Sequence, residues 1–175
     1  LGDFVGGLVL CNDVSARDVM FGEAFLQWFR GKSARTFCPC GPWLVIPEPE
    51  EVADLLDRIE IRLWLNDELR QSAHTRDLIF RPEACLNDIV SLMDLSAGDL
   101  VLTGTPGGVI LQATPPLGQI LTTRLFKDSE RREAIVAEAT ANAHYLSPGD
   151  IVRAEMRTDD GSVDFGTQLV EIVDA

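Results

Sequence analysis

The chain has 175 residues, 46% of them hydrophobic and 25% charged, and a formal net charge of −13. That length suits one domain with a sizeable buried core, and no run of about 18 apolar residues is present to span a bilayer. So acidic a composition repels phosphate backbones and anionic lipid headgroups, which argues against nucleic acid and membranes as partners and leaves a divalent cation as a better one.

Residues 4–10 form an apolar, glycine-punctuated run that reads as a buried strand delivering Asn12 and Asp13 at its end. Ser15 then reads as the cap of a helical stretch running towards Phe29. Residues 43–46, bracketed by Pro42 and Pro47, read as a short extended piece, and residues 50–56 as one or two helical turns. Ile59, Ile61, Leu63 and Leu65 alternate with Glu60, Arg62 and Trp64, turn at Asn66-Asp67 and continue through Leu69 and Gln71 as a hairpin.

Ala84, Leu86, Ile89, Val90 and Met93 recur at helical spacing behind Pro82, which suits an early helical position. Residues 100–102 read as a strand entering the glycine-rich turn Thr103-Gly104-Thr105-Pro106-Gly107-Gly108. Leu95-Ser96-Ala97-Gly98-Asp99 is echoed by Leu146-Ser147-Pro148-Gly149-Asp150, and both read as tight turns at equivalent corners. A helix is expected over residues 131–141, and a second hairpin turns around Asp159-Asp160-Gly161. Many short strands without βαβ alternation predict a β-dominated α+β domain covering residues 1–175.

Cys11, Cys38, Cys40 and Cys85 are too few and too irregularly spaced for a disulfide framework, so reduced thiols in the cytoplasm are expected. Leu1 is preceded by no charged leader or apolar signal core, so the chain reads as the interior of a longer polypeptide.

Three segments carry a family resemblance. They are Asn12-Asp13-Val14-Ser15-Ala16-Arg17-Asp18; then Gln27-Trp28-Phe29-Arg30-Gly31-Lys32-Ser33 with Thr36 and Gly41-Pro42-Trp43; then Thr103 to Gly108 followed by Val109. In this order they resemble the catalytic domain of the fumarylacetoacetate hydrolase family. The resemblance implies a mixed β-roll, usually in homodimers, with a divalent metal (Mg²⁺, or Mn²⁺ or Ca²⁺) that chelates a small 2-oxo acid. It implies metal-site roles for Asp13 and Thr36, catalysis and substrate contact by Lys32, and substrate binding by Arg17, Gly104 and Thr105. Hydrolytic cleavage of a C–C bond in an acylpyruvate-type substrate is the expected reaction. Decarboxylation, isomerisation or hydration of 2-oxo dioates, as in aromatic catabolism, is the alternative.

The residue types suit that chemistry. Mg²⁺ takes oxygen ligands, commonly one or two carboxylates with water and substrate. An ammonium beside a forming enolate stabilises its charge, and a guanidinium fork matches a carboxylate. Taken singly, the same residues have plainer readings: Asp13 as a helix cap, Arg17 as half of a surface ion pair with Asp18, Lys32 as a solvated lysine, and the 103–108 turn as purely structural. His74 and His144 read as surface or partly buried polar residues rather than general bases. Trp28, Trp43 and Trp64 read as core.

Three departures from the family pattern stand out. Met20 occupies a position where a glutamine is common. Residues 110–145 form a longer segment that reads as an insertion, either a wall of the site or an outer lid. The family's further ligands, a Glu-x-Glu segment and a His-Glu pair, precede the Asn-Asp motif. Only eleven residues precede Asn12 here, and none is Glu or His. The second expectation is therefore a truncated, non-catalytic module.

Overall fold

The computed structural model describes residues 1–22, 25–110, 115–141 and 145–174. Its first strand, β1 (Leu8–Cys11), is shorter than the apolar run 4–10, because residues 2–4 turn back with Phe4 N–H donating to the Leu1 carbonyl. β1 pairs antiparallel with β2 (Cys40–Val45), aligning Leu8 with Val45 and Cys11 with Cys40.

The chain divides into two units. The first comprises Leu1–Cys11, Cys40–Gly108 and Ile151–Glu171. Within it lie β1, β2, the short helix α3 (Val52–Leu56) and a four-stranded antiparallel sheet. That sheet contains β3 (Ile59–Leu65) and β4 (Glu68–His74), the hairpin expected from period-two alternation, and also β5 (Ile151–Thr158) and β6 (Asp164–Glu171), ordered β4-β3-β5-β6. Asn66 makes the first turn in the left-handed region (φ 48°), and its side chain accepts from Ile151 N–H at 2.9 Å.

Val152, Ala154, Met156 and Thr158 are all buried along β5, the inward half of a strand's alternation. With Leu10, Val52, Leu55, Leu56, Ile59 and Phe165, Ala154 and Met156 of that row form the core of the first unit. Each fully buried aliphatic or aromatic side chain contributes about 1.5–3 kcal/mol. A 3₁₀ turn (Thr75–Asp77) and α4 (Pro82–Leu92) follow β4, with Pro82 at the start of the helix as its fixed φ favours.

Residues 100–102 form no ladder among the described residues, so the expected strand is irregular backbone, and Leu100 and Leu102 are exposed. The two echoing corners are alike. Ser96 N–H donates to Asp99 Oδ2 at 2.7 Å and Ser147 N–H to Asp150 Oδ2 at 2.8 Å, with the reverse backbone bond at 3.0 Å in both.

The second unit comprises Asn12–Pro39, Val109–Asp150 and Ile172–Ala175. The helix expected to run to Phe29 is instead two short ones, α1 (Arg17–Phe21) and α2 (Trp28–Lys32), with Gly22 ending the first. Ser15 does not cap α1; Ala16 occupies that position and makes no side-chain cap. The segment expected to be an insertion holds α5 (Pro115–Thr123) and α6 (Asp128–Ala141), of which the first was not legible from spacing. Leu117, Ile120 and Ile135 are buried between them, with Phe21 packed alongside.

Arg131 is 1% exposed. Its guanidinium donates to the Phe21, Arg124 and Leu125 carbonyls and to Asp128 Oδ1.

Two tryptophans depart from the core reading. Trp28 is 52% and Trp43 63% exposed, the latter lying against the Gly166 backbone on one side. Trp64 is half-buried, with the Arg153 guanidinium 3.7 Å from its ring centre, a cation–π stack. No helix among the described residues is long and apolar enough to cross a membrane.

Candidate active site

Asp13 leaves β1 on an irregular segment held by Asn12 N–H donating to the Pro39 carbonyl at 3.1 Å. Nearby, Ala16 N–H donates to the Gly31 carbonyl at 2.8 Å and so joins the start of α1 to the end of α2. The helices approach so closely that a Cβ on Gly31 would stand 2.7 Å from the Met20 Cβ, which makes a side chain there untenable. This approach brings Lys32 to Asp13.

The Lys32 ammonium pairs with Asp13 Oδ2 and donates to Ser15 Oγ at 2.9 Å, while Ser15 Oγ donates to the Asp13 carbonyl at 3.1 Å. The Asp13 and Lys32 side chains are 34% and 28% exposed, so the pair is open to a small ligand. Lys32 also stands in the last turn of α2, where the helix dipole favours a cation.

Arg17 opens α1. It forms no ion pair with Asp18 among the described residues, and its charge acts instead on Tyr145. Burial pushes the Tyr145 phenol above its ordinary value, Arg17 pulls it down and Glu138 adds to the rise. Thr36 is exposed, has φ 66°, and donates its hydroxyl to the Arg35 carbonyl at 2.6 Å, so no hydrogen bond joins it to Asp13.

Gly104 and Thr105 belong to the first unit. Gln71 in β4 donates its amide to Thr105 Oγ1 at 3.2 Å and to the Pro106 carbonyl at 2.9 Å, fastening the turn to the strand. The same turn requires glycine at 108, where φ is 94° and a Cβ would lie 1.9 Å from the Arg70 carbonyl oxygen.

His74 is occupied as a cap. Its Nδ1 accepts from Arg76 N–H at 3.1 Å, and its Nε2 lies 3.3 Å from Asp159 Oδ2. His144 lies outside the described residues.

Among the described residues no group of three or more His, Cys, Asp or Glu could hold a metal ion. The Asp13 carboxylate has the chemistry of one oxygen ligand for a hard divalent cation. The spacing does not disclose that Ser15, expected to cap a helix, bonds instead to the Lys32 ammonium and the Asp13 carbonyl.

An α+β chain with two antiparallel sheets is the class of protein that the three motifs predict. The chain belongs to the fumarylacetoacetate hydrolase family: the description "Fumarylacetoacetate (FAA) hydrolase C-terminal" matches residues 1–172.

It is 40% identical over 113 residues to a mitochondrial oxaloacetate tautomerase of Bos taurus, covering 65% of this chain and 35% of that protein. It resembles the crystal structure of a probable 2-hydroxyhepta-2,4-diene-1,7-dioate isomerase from Mycobacterium abscessus with TM-score 0.72 and 30% identity, over 99% of this chain and 52% of that one. It also resembles maleylpyruvate hydrolase from Sphingobium sp. SYK-6 in complex with manganese(II) and pyruvate, with TM-score 0.60 and 26% identity, over 98% of this chain and 46% of that one. The chain thus spans about a third of the length of the curated relative and about half that of the solved structures.

Proposed function

We propose that the chain is the substrate- and cation-binding part of an enzyme that acts on small 2-oxo acids, and that its reaction is keto–enol isomerisation of a 2-oxo dioate such as oxaloacetate. The observation that carries this reading is the seating of the Lys32 ammonium on the Asp13 carboxylate and Ser15 hydroxyl. A positive proton-bearing group stands there beside the carboxylate proposed to ligate a divalent cation. In the isomerisation a proton moves between C3 and the C2 oxygen, and negative charge grows on that oxygen. A preorganised ammonium stabilises such charge where it develops.

Arg17 is proposed to take a substrate carboxylate in its fork. Asp13 is proposed as a ligand of Mg²⁺, Mn²⁺ or Ca²⁺, which when bound would polarise the 2-oxo group. In the first unit, Thr105, oriented by Gln71, is proposed as a substrate-contacting hydroxyl, with Gly104 beside it. The identity to an oxaloacetate tautomerase supports isomerisation. Hydrolysis of an acylpyruvate is the second reading, supported by the likeness to maleylpyruvate hydrolase. Exposed Ile79, Phe80, Leu92 and Met93 in the first unit support self-association as a homodimer, which sedimentation would register as twice the chain mass.

The test is calorimetric titration with Mn²⁺ of the wild type and Asp13→Asn, followed by ultraviolet absorbance of oxaloacetate enol decay. Binding lost in Asp13→Asn, together with faster ketonisation by the wild type, is the expected result. Release of two acids from an acylpyruvate without faster ketonisation would transfer the assignment to hydrolysis. No Mn²⁺ binding at all would leave the non-catalytic module.

A further inference from the structure

We propose that Cys11 and Cys40 form a thiol–disulfide modification site, which peroxide oxidises to a crosslink that closes the segment Asn12–Pro39 into a loop. The two residues are paired across β1 and β2, past a register irregularity between Val9 and Cys11, and their sulfurs stand 3.2 Å apart. Opposed residues of an antiparallel pair have Cα atoms about 4.5–5.5 Å apart, inside the range of about 4.4–6.8 Å that disulfides span. The sulfurs need only close to about 2.05 Å, an approach that side-chain rotation supplies.

Cys40 is exposed and meets the oxidant, while Cys11 is half-buried behind it and serves as the resolving thiol. The Cys40 thiolate attacks one peroxide oxygen, the O–O bond breaks and water leaves, giving a sulfenic acid. The Cys11 sulfur then displaces that hydroxyl as a second water and the S–S bond forms. Two thiols are oxidised, and hydrogen peroxide is reduced to two waters. Among the described residues, Cys38, across Pro39, and Cys85, on α4, have no such partner in register.

The closed segment carries Asp13, Arg17, Lys32 and Thr36, so the modification tethers both ends of the stretch that holds the candidate site. The inference does not rest on the proposed reaction. It is tested on the chain treated with hydrogen peroxide, alkylated and mapped by peptide mass spectrometry, with thermal unfolding followed in parallel. The expected result is a Cys11–Cys40 linked peptide, loss of two titratable thiols, and a rise in Tm of about 5–10 °C from constraining the unfolded chain. Dithiothreitol should reverse the rise, and Cys40→Ser should abolish it. A crosslink to Cys38 or Cys85, arrest at a sulfenic acid, or a linked chain with unchanged Tm would overturn the proposal. Mapping of the wild type decides it even where Cys40→Ser fails to fold.

Discussion

Lys32 reaches across nineteen positions to pair with the Asp13 carboxylate, and the same ammonium donates to Ser15 Oγ at 2.9 Å. Both partners of the ion pair are about a third exposed, so its share of folding stability is at most about 1 kcal/mol. The pair therefore matters to the proposed function chiefly by fixing an ammonium beside the carboxylate proposed as a cation ligand.

Lys32→Met is expected to lower kcat for oxaloacetate ketonisation by about 10²–10³-fold, the usual cost of removing a charge-stabilising donor. Mn²⁺ affinity should stay equal or rise, because the ammonium no longer competes for Asp13 Oδ2. Steady-state kinetics with calorimetry separates the two; equal losses in both would remove Lys32 from the chemistry.

Thr36→Gly is expected to stabilise the fold. A β-branched residue at φ 66° is strained by about 1–2 kcal/mol, and glycine relieves this while adding chain entropy to the unfolded state. The net gain should be about 0.5–1 kcal/mol by urea denaturation, with reduced turnover if the hydroxyl serves the site. A destabilised variant would show that the threonine is held there without strain.

Arg131→Met should cost about 3–5 kcal/mol, since it strands three backbone carbonyls and Asp128 in the second unit. At about 2–4 °C per kcal/mol this lowers Tm by about 6–20 °C. Arg131→Lys keeps the charge but loses the fork, so it should recover less than half of that in a calorimetric scan.

Asp160 supplies a pH test. Ser162 N–H and the Thr158 and Ser162 hydroxyls, with Arg58 beside them, hold its carboxyl well below the ordinary carboxylate range. A depressed folded-state value contributes stability that is complete above the unfolded value of about 3.8 and disappears as pH falls through the folded one. Asp160→Asn should therefore have a lower urea midpoint than wild type at pH 7 and pH 5, the gap shrinking below about pH 4. A gap independent of pH would mean that shape, not charge, sets the turn.

Local patterns fixed a good deal. The hairpins β3–β4 and β5–β6 follow from side-chain alternation and turn chemistry, which neighbouring residues impose on one another. Pro82 set the start of α4, and the two Ser-x-Gly-Asp corners close through bonds within four residues. The three motifs disclosed the family without any distant information.

Other features depend on segments far apart in the chain. Ser15 reads as a helix cap until α2 brings Lys32 to it, and nothing in the local spacing shows that the Phe21 carbonyl meets Arg131 across 110 positions. Trp43 is exposed and residues 100–102 lack a ladder among the described residues because burial and strand pairing require a surface or a partner that no local spacing can supply. Period and turn preference are short-range effects and legible in order along the chain; hydrogen bonds and ion pairs between remote segments exist only once folding has brought their atoms within about 3 Å.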